Sequence, residues 1–253
     1  MNILNTELVK NYTSSSQKIR VMTELWAEEN IFCPMCWDKI SKYQNNNPVG
    51  DFSCKKCRED FELKSKNGNF GKKIVDGAYE AMMKRLNSAE NPNFFWLNYS
   101  ASYEVRDFFV IPKHYFVPEI IEKRKPLAST ARRAWWIGCN ILLEPIPESG
   151  KIFYIEDWKN ISKSQVLENW NKTKFLRETS SLQTKWWLLD TMKCIDILEK
   201  DIFSLKDVYE FETYLKQLHP ENNHITDKIR QQLQNLITYW YIKRLENGIY
   251  KKL

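Results

Sequence analysis

The chain has 253 residues, with 38 Lys and Arg against 32 Asp and Glu, a formal charge of +6, 43% hydrophobic and 14% aromatic residues. This composition excludes a disordered or collagen-like chain, and the length suits one large domain or two modest ones. No run reaches the ~18 apolar residues of a membrane span. The start, MNILNTELVKNYTSSSQ, lacks the basic-then-apolar order of a signal peptide. The expectation is a cytoplasmic protein, and its mild positive balance is compatible with a polyanionic partner.

In chain order, 16–30 places Ile19, Met22, Leu25 and Trp26 on one helical stripe. Residues 60–66 alternate as a strand does, and 68–91 reads as a helix with Ile74, Ala78, Met82 and Leu86 on its inner face. NFFWLNY (93–99) and RDFFVIP (106–112) are aromatic and β-branched runs between polar residues, which predicts two strands. Residues 123–140 carry Lys123, Arg124, Lys125, Arg132 and Arg133 with no acid and little apolar period, predicting a basic loop. Then 151–156 reads as a strand and 164–177 as a helix, and the polar patch ETSSLQT marks a boundary between domains 1–180 and 181–253.

Beyond the boundary, 186–199, 204–218 and 223–236 read as helices. Ser204 serves as an N-cap with Asp207 at N3, and Asn222 or Asn223 caps the third helix. Residues 239–253 form a hairpin turning at Glu246-Asn247-Gly248. Three helices and a two-stranded wing predict a winged helix. Its charge is uneven: residues 181–224 hold 5 basic and 8 acidic side chains, whereas 225–253 hold 6 and 2. The third helix and the wing are therefore the anion-facing end. On that helix Ile225, Ile229, Leu233 and Leu236 fall on the buried side, leaving Asn223, Asp227, Arg230, Gln231 and Gln234 outward.

Of six cysteines, Cys33-Pro-Met-Cys36, seventeen residues, then Cys54-Lys-Lys-Cys57 have paired-knuckle zinc spacing. Two such turns close a tetrahedron around Zn²⁺ with no open position, a structural and not a catalytic site. Disulfides or a redox pair are the competing reading, disfavoured without an oxidising compartment. Cys139 and Cys194 sit in apolar surroundings and read as small buried hydrophobes. His114, His219 and His224 are singletons with no ligand-spaced partner.

Asp51 precedes the second knuckle by three residues, and Glu62-Leu63-Lys64 follows it on an alternating strand. If 51–54 and 58–66 pair, zinc pins the hairpin that brings Asp51 beside Glu62, and alternation turns Asp60, Glu62 and Lys64 to one face, Phe61 and Leu63 to the other. Asp51, Glu62 and the Leu63 carbonyl then offer oxygen ligands to a hard cation such as Mg²⁺. Lys64 is placed to orient a water or neutralise charge, which points to phosphodiester hydrolysis. E-x-K alone is far more readily a solvated strand; the upstream aspartate and the flanking helix and strands turn the reading toward a PD-(D/E)xK nuclease core. The fold class expected is α/β: a PD-(D/E)xK endonuclease core with an inserted four-cysteine zinc site, plus a C-terminal winged-helix domain.

The stretches NNNPVGDFSC, EDFELKSKNGNF, DGAYEAMMKR, NPNFF, KPLASTARRAWWIGCN and NNHITDKIRQQLQ, in this order, resemble the DpnI-like methyl-directed type II restriction endonucleases. The resemblance spans nearly the whole chain. It implies a monomeric, site-specific deoxyribonuclease that cuts both strands at GATC when the adenine carries an N6-methyl group. It also implies Asp51 and Glu62 as metal ligands, Lys64 as the catalytic lysine, and Cys33, Cys36, Cys54 and Cys57 as zinc ligands. The motif proline is Pro48, three residues before Asp51, so "PD" is not literal, and the wing TYWYIKRLENGIYKKL is unusually aromatic.

An N6-methyl group projects into the major groove, where Asn223, Gln231 and Gln234 suit adenine and Arg230 suits guanine or phosphate. Lys243, Lys251 and Lys252 on the wing would hold phosphates. In the basic loop Arg132 and Arg133 adjoin Trp135 and Trp136, and the resemblance puts Trp136 at a DNA-facing position, with no such support for Trp135. Competing readings are a non-catalytic zinc-ribbon and winged-helix regulator, or a structure-selective repair nuclease.

Overall fold

Helix α1 (Ser15–Asn30) buries Met22 and Trp26 of the expected stripe, leaves Ile19 and Leu25 half-buried, and also buries Thr23, Glu24 and Ala27. It lies on a seven-stranded sheet in a computed structural model that describes residues 2–44, 50–88, 91–179 and 181–253. The elements that follow are β1 (Ile40–Lys42), β2 (Phe52–Cys54), β3 (Asp60–Asn67), β4 (Lys73–Ala78), α2 (Tyr79–Asn87), β5 (Asn93–Tyr99), β6 (Val105–Ile111), β7 (Ile121–Lys123), β8 (Gly138–Leu142), β9 (Ile152–Glu156), β10 (Lys159–Asn160) and α3 (Lys163–Lys172). The large sheet has the order β1-β2-β3-β5-β6-β9-β10, and β4-β8-β7 form a second one. Only β3 and β5 run parallel in the large sheet, as a connection through β4 and α2 requires. All seven residues of β5 are buried, which fits a central strand covered on both faces.

Alternation divides the side chains between two layers. Phe61 stacks on Phe95 with ring centroids 4.5 Å apart, and Trp26 of α1 meets Phe108 at 5.6 Å, on one face. On the other face Phe94, Trp96, Phe109 and Phe70 pack together, and Glu62 and Lys64 stand in the same row, in register with Phe94 and Trp96. The region expected to be one helix over 68–91 is a strand followed by a helix. Ile74 and Val75 are β-branched and Gly77 disfavours helix, so the chain pairs with β8 before α2 begins at Tyr79. The basic loop is also shorter than expected, because Lys123 ends β7 and Gly138 opens β8.

The chain divides into two compact units, residues 1–143 with 149–171, and 144–148 with 172–253. The second unit holds α4 (Phe175–Glu178), α5 (Leu182–Ile197), β11 (Ile202–Ser204), α6 (Leu205–Tyr209), α7 (Glu212–Leu218), α8 (Ile225–Thr238), β12 (Ile242–Glu246) and β13 (Ile249–Lys252). The helix expected over 164–177 is broken at Thr173 and Lys174, and that over 204–218 at Glu210 and Phe211. Ser204 and Asp207 form a reciprocal capping box at the start of α6. The N-cap of α8 is His224 and not an asparagine: no side chain caps the helix, and Asn222 Oδ1 instead accepts from the His224 N–H at 2.7 Å. Ile225, Ile229, Leu233 and Leu236 are buried as their spacing predicts. The terminal hairpin gains a third strand, giving the order β11-β13-β12. Among the described residues no helix is long and apolar enough to cross a membrane.

Candidate active site and metal centre

The two Cys-x-x-Cys turns are built alike. In each, the residue after the second cysteine donates its N–H to the first cysteine's carbonyl, Trp37 to Cys33 at 2.9 Å and Arg58 to Cys54 at 2.8 Å, and both have left-handed φ, 66° and 61°. Cys33 Sγ lies 3.4 Å from Cys57 Sγ, and Cys36 Sγ 3.4 Å from Cys54 Sγ, with all four sulfurs within 4.8 Å of one another. Zn–S bonds of about 2.3 Å in a tetrahedron set sulfurs roughly 3.8 Å apart, so the four thiols fit that ion. Burial pushes the Cys57 thiol up to about 12, and a bound cation would ionise it. Among the described residues this is the only such gathering of His, Cys, Asp or Glu ligand atoms.

The second knuckle closes the turn from β2 to β3, where Phe52 faces Phe61 and Ser53 faces Asp60. One residue before β2, Asp51 donates its N–H to the Phe61 carbonyl at 2.8 Å, and its Oδ2 accepts from the Leu63 N–H at 2.8 Å. The knuckle thus sets the register that puts the Asp51 carboxylate against the strand bearing Glu62. Burial raises the pKa of Asp51, the Leu63 N–H opposes this, and the charges of Glu24 and Glu62 raise it further. Pro48 lies outside the described residues.

Lys64 donates to Glu62 Oε1 at 2.5 Å and also to Asp76 Oδ1, while Arg85 of α2 holds Glu62 Oε2 at 3.1 Å. Burial opposes the charge on Lys64, but Glu62 and Asp76 outweigh it and raise the ammonium to about 12. Asp60, expected on the same face, instead accepts from the Tyr43 hydroxyl at 2.7 Å and stays out of this cluster. On the Leu63 side, Glu24 is buried between Arg20 and Lys42, at 2.6 Å from each. An open cleft of about 410 Å³ runs there, lined by Ser15, Ser16, Ile19, Arg20, Thr23, Glu24, Leu63 and Ser65.

Sequence reasoning missed Asp76, Arg85 and Glu24. Asp76 is 6% exposed and its Oδ2 is buried without a hydrogen-bond partner. The available signal is strand alternation, which puts Asp76 on one face with Ile74 and Ala78, but 68–91 reads as one helix, on which Asp76 would not share a face with either.

In the basic loop Arg132 and Arg133 are exposed. Trp136 is half-buried: the Arg133 guanidinium lies over its ring at 4.4 Å, and a Cβ on Gly138 would stand 2.9 Å from that ring. Asn223, Arg230, Gln231 and Gln234 are exposed on or beside α8, as expected, and each has a neighbour. Asn223 accepts from Lys216, Arg230 donates to Asp227, Gln231 accepts from Lys228, and Gln234 accepts from Arg244. Lys243 and Lys251 stand directly opposite each other across the hairpin. His219, a singleton by spacing, pairs with Asp190 at 2.7 Å, both buried, with its ring 3.5 Å from that of Trp187. A separation of 29 residues hides that partner from any spacing rule.

The first unit is mixed α/β with a four-cysteine cluster, and the second is mainly helical with a three-stranded sheet. Residues 1–179 match the DpnI family, described as the Dam-replacing family, and residues 183–252 match its C-terminal partner, described as the Dam-replacing HTH domain. The chain belongs to the Dam-replacing family. That family implies a nuclease of the restriction type, with DNA as its partner.

Proposed function

We propose that the protein is a methylation-dependent type II restriction endonuclease that cleaves both strands of DNA at G(N6-methyl-A)TC. In this reading residues 1–180 form a PD-(D/E)xK catalytic domain, residues 181–253 form a winged helix, and the protein acts as a monomer. The observation that carries it is the convergence at the start of β3: Asp51 on the Leu63 N–H, and Glu62 on Lys64.

Asp51, Glu62 and the Leu63 carbonyl are the proposed Mg²⁺ ligands. In extended backbone the N–H and C=O of one residue point to the same side, so the Leu63 carbonyl faces the edge on which Asp51 sits. The donors are hard oxygens, and two carboxylates suffice for an ion that keeps several waters and takes substrate phosphate as a ligand. When bound, such an ion stabilises charge on the phosphodiester and lowers the pKa of an attacking water. Arg85 holds one Glu62 oxygen and thereby aims the other. Lys64, carried between Glu62 and Asp76, offers its ammonium to the charge that develops on the phosphate. Zn²⁺ on Cys33, Cys36, Cys54 and Cys57 pins the hairpin that places Asp51.

Arg132, Arg133 and Trp136 are assigned to DNA binding by the catalytic domain. Asn223, Arg230, Gln231 and Gln234 are assigned to base edges in the major groove, and Lys243 and Lys251 to phosphates. The test is digestion of one plasmid prepared with and without adenine methylation at GATC, with Mg²⁺ or with EDTA. Metal-dependent cutting of the methylated form alone is expected, with Asp51→Ala at least about a hundredfold slower. Equal cutting of both forms overturns the methyl dependence, and binding without cutting overturns the catalytic assignment.

A further inference from the structure

Four of the ten tryptophans are exposed, namely Trp37, Trp135, Trp158 and Trp240, and all four have positive φ, between 58° and 66°. This left-handed region crowds the Cβ of an L-residue against its own backbone, and a bulky aromatic there is a true outlier. Local strain of this kind is retained where surrounding structure enforces it, often at a ligand site. Three of the four have an internal explanation. Trp37 closes the first cysteine knuckle. Trp158 lies under the Arg106 guanidinium at 5.1 Å, and Trp240 sits in the turn that ends α8, its N–H bonded to the Ile237 carbonyl.

Trp135, like Trp240, is strongly exposed, at 70%, with no ring partner among the described residues, but it alone stands in an acid-free run of cationic side chains. Its backbone is nevertheless pinned: its N–H donates to the Leu127 carbonyl at 3.1 Å, the Leu127 N–H to the Trp136 carbonyl at 3.0 Å, and the Trp136 N–H to the Arg133 carbonyl at 3.1 Å. The next residue, Trp136, is half-buried, with the Arg133 guanidinium over its ring and Gly138 against it. The loop therefore holds one indole out to solvent at a conformational cost, in a stretch, 123–140, with five cationic side chains and no acid. Charge of that sign selects a polyanion, and a rigid planar π surface beside arginines selects the bases of one.

We infer that Trp135 is a DNA-contacting residue whose indole stacks on, or wedges beside, a base of the bound duplex while Arg132 and Arg133 hold flanking phosphates. The inference rests on the reading of the chain as a DNA nuclease, and adds to it a second indole of the basic loop, beside the Trp136 already assigned to DNA.

The full chain and its Trp135→Gly variant are compared in thermal melting and in binding to a GATC duplex methylated on both strands, with Ca²⁺ replacing Mg²⁺. Glycine accepts positive φ without strain, so the variant should melt no lower than the parent. Loss of a stacked base should weaken binding about tenfold or more, and Trp135→Phe should recover part of it. Because no charge is removed, the dependence of affinity on salt should keep its slope; a shallower slope would mean that the arginines had moved, and would reassign the effect to them. Affinity within about twofold of the parent overturns the inference while leaving the nuclease reading intact. If the parent neither binds nor cuts methylated DNA, the nuclease reading fails and the inference goes with it.

Discussion

Replacing Asp76 with alanine tests whether the three-membered cluster on β3 and β4 is coupled as the geometry implies. The Lys64 side chain is 19% exposed, that of Asp76 3% and that of Glu62 17%. Breaking a buried ion pair by removing one partner costs about 3–5 kcal/mol, because a desolvated charge is left behind. Two features pull the value down here. Glu62 remains on the same ammonium, and Asp76 Oδ2 has no hydrogen bond to lose. The expected loss is about 2–3 kcal/mol, or roughly 4–12 °C in the melting of a unit of this size. Urea unfolding of Asp76→Ala, Lys64→Met and the double variant measures it. The double variant should be more stable than the sum of the single losses predicts by at least about 1 kcal/mol, since removing Lys64 also removes the charge that Asp76 neutralises. A loss below about 0.5 kcal/mol for Asp76→Ala, or additivity within that margin, refutes the coupling.

Metal analysis should find one zinc per chain, and Cys54→Ser or strong chelation should lower the urea midpoint of the sheet unit as well as zinc content; full stability without zinc would remove its role in pinning the hairpin. In the second unit Asp207 is held down to about 2, first by Lys200 and then by Ser204. Its contribution is therefore present above the unfolded carboxylate's value of about 3.9 and lost as pH falls toward 2; unfolding measured from pH 5 to 2 should show a shallower decline in Asp207→Asn. Lys243→Ala should reduce the slope of log affinity against log salt by about 1 and leave the hairpin as stable or more so, because it removes one of two like charges set opposite each other; an unchanged slope would take Lys243 off the phosphate backbone.

What the sequence determined by itself was local in kind. Cysteine spacing, strand alternation through Glu62 and Lys64, the capping box at Ser204 and the apolar stripe on α8 all depend on residues close together in the chain, where backbone geometry alone sets the relation. It was weakest where a short β-branched run competed with a helical period, as at Ile74 and Val75, because strand pairing with β8 lies more than sixty residues away and outweighs propensity. The tertiary structure decided which charges meet. It brought Asp76 to Lys64, Arg85 to Glu62 and Asp190 to His219, pairs that no spacing rule anticipates, since burial and cross-strand register determine them. It also separated the two neighbouring tryptophans of the basic loop. Trp136 folds back over Gly138, while the left-handed backbone at Trp135 turns the adjacent indole to solvent.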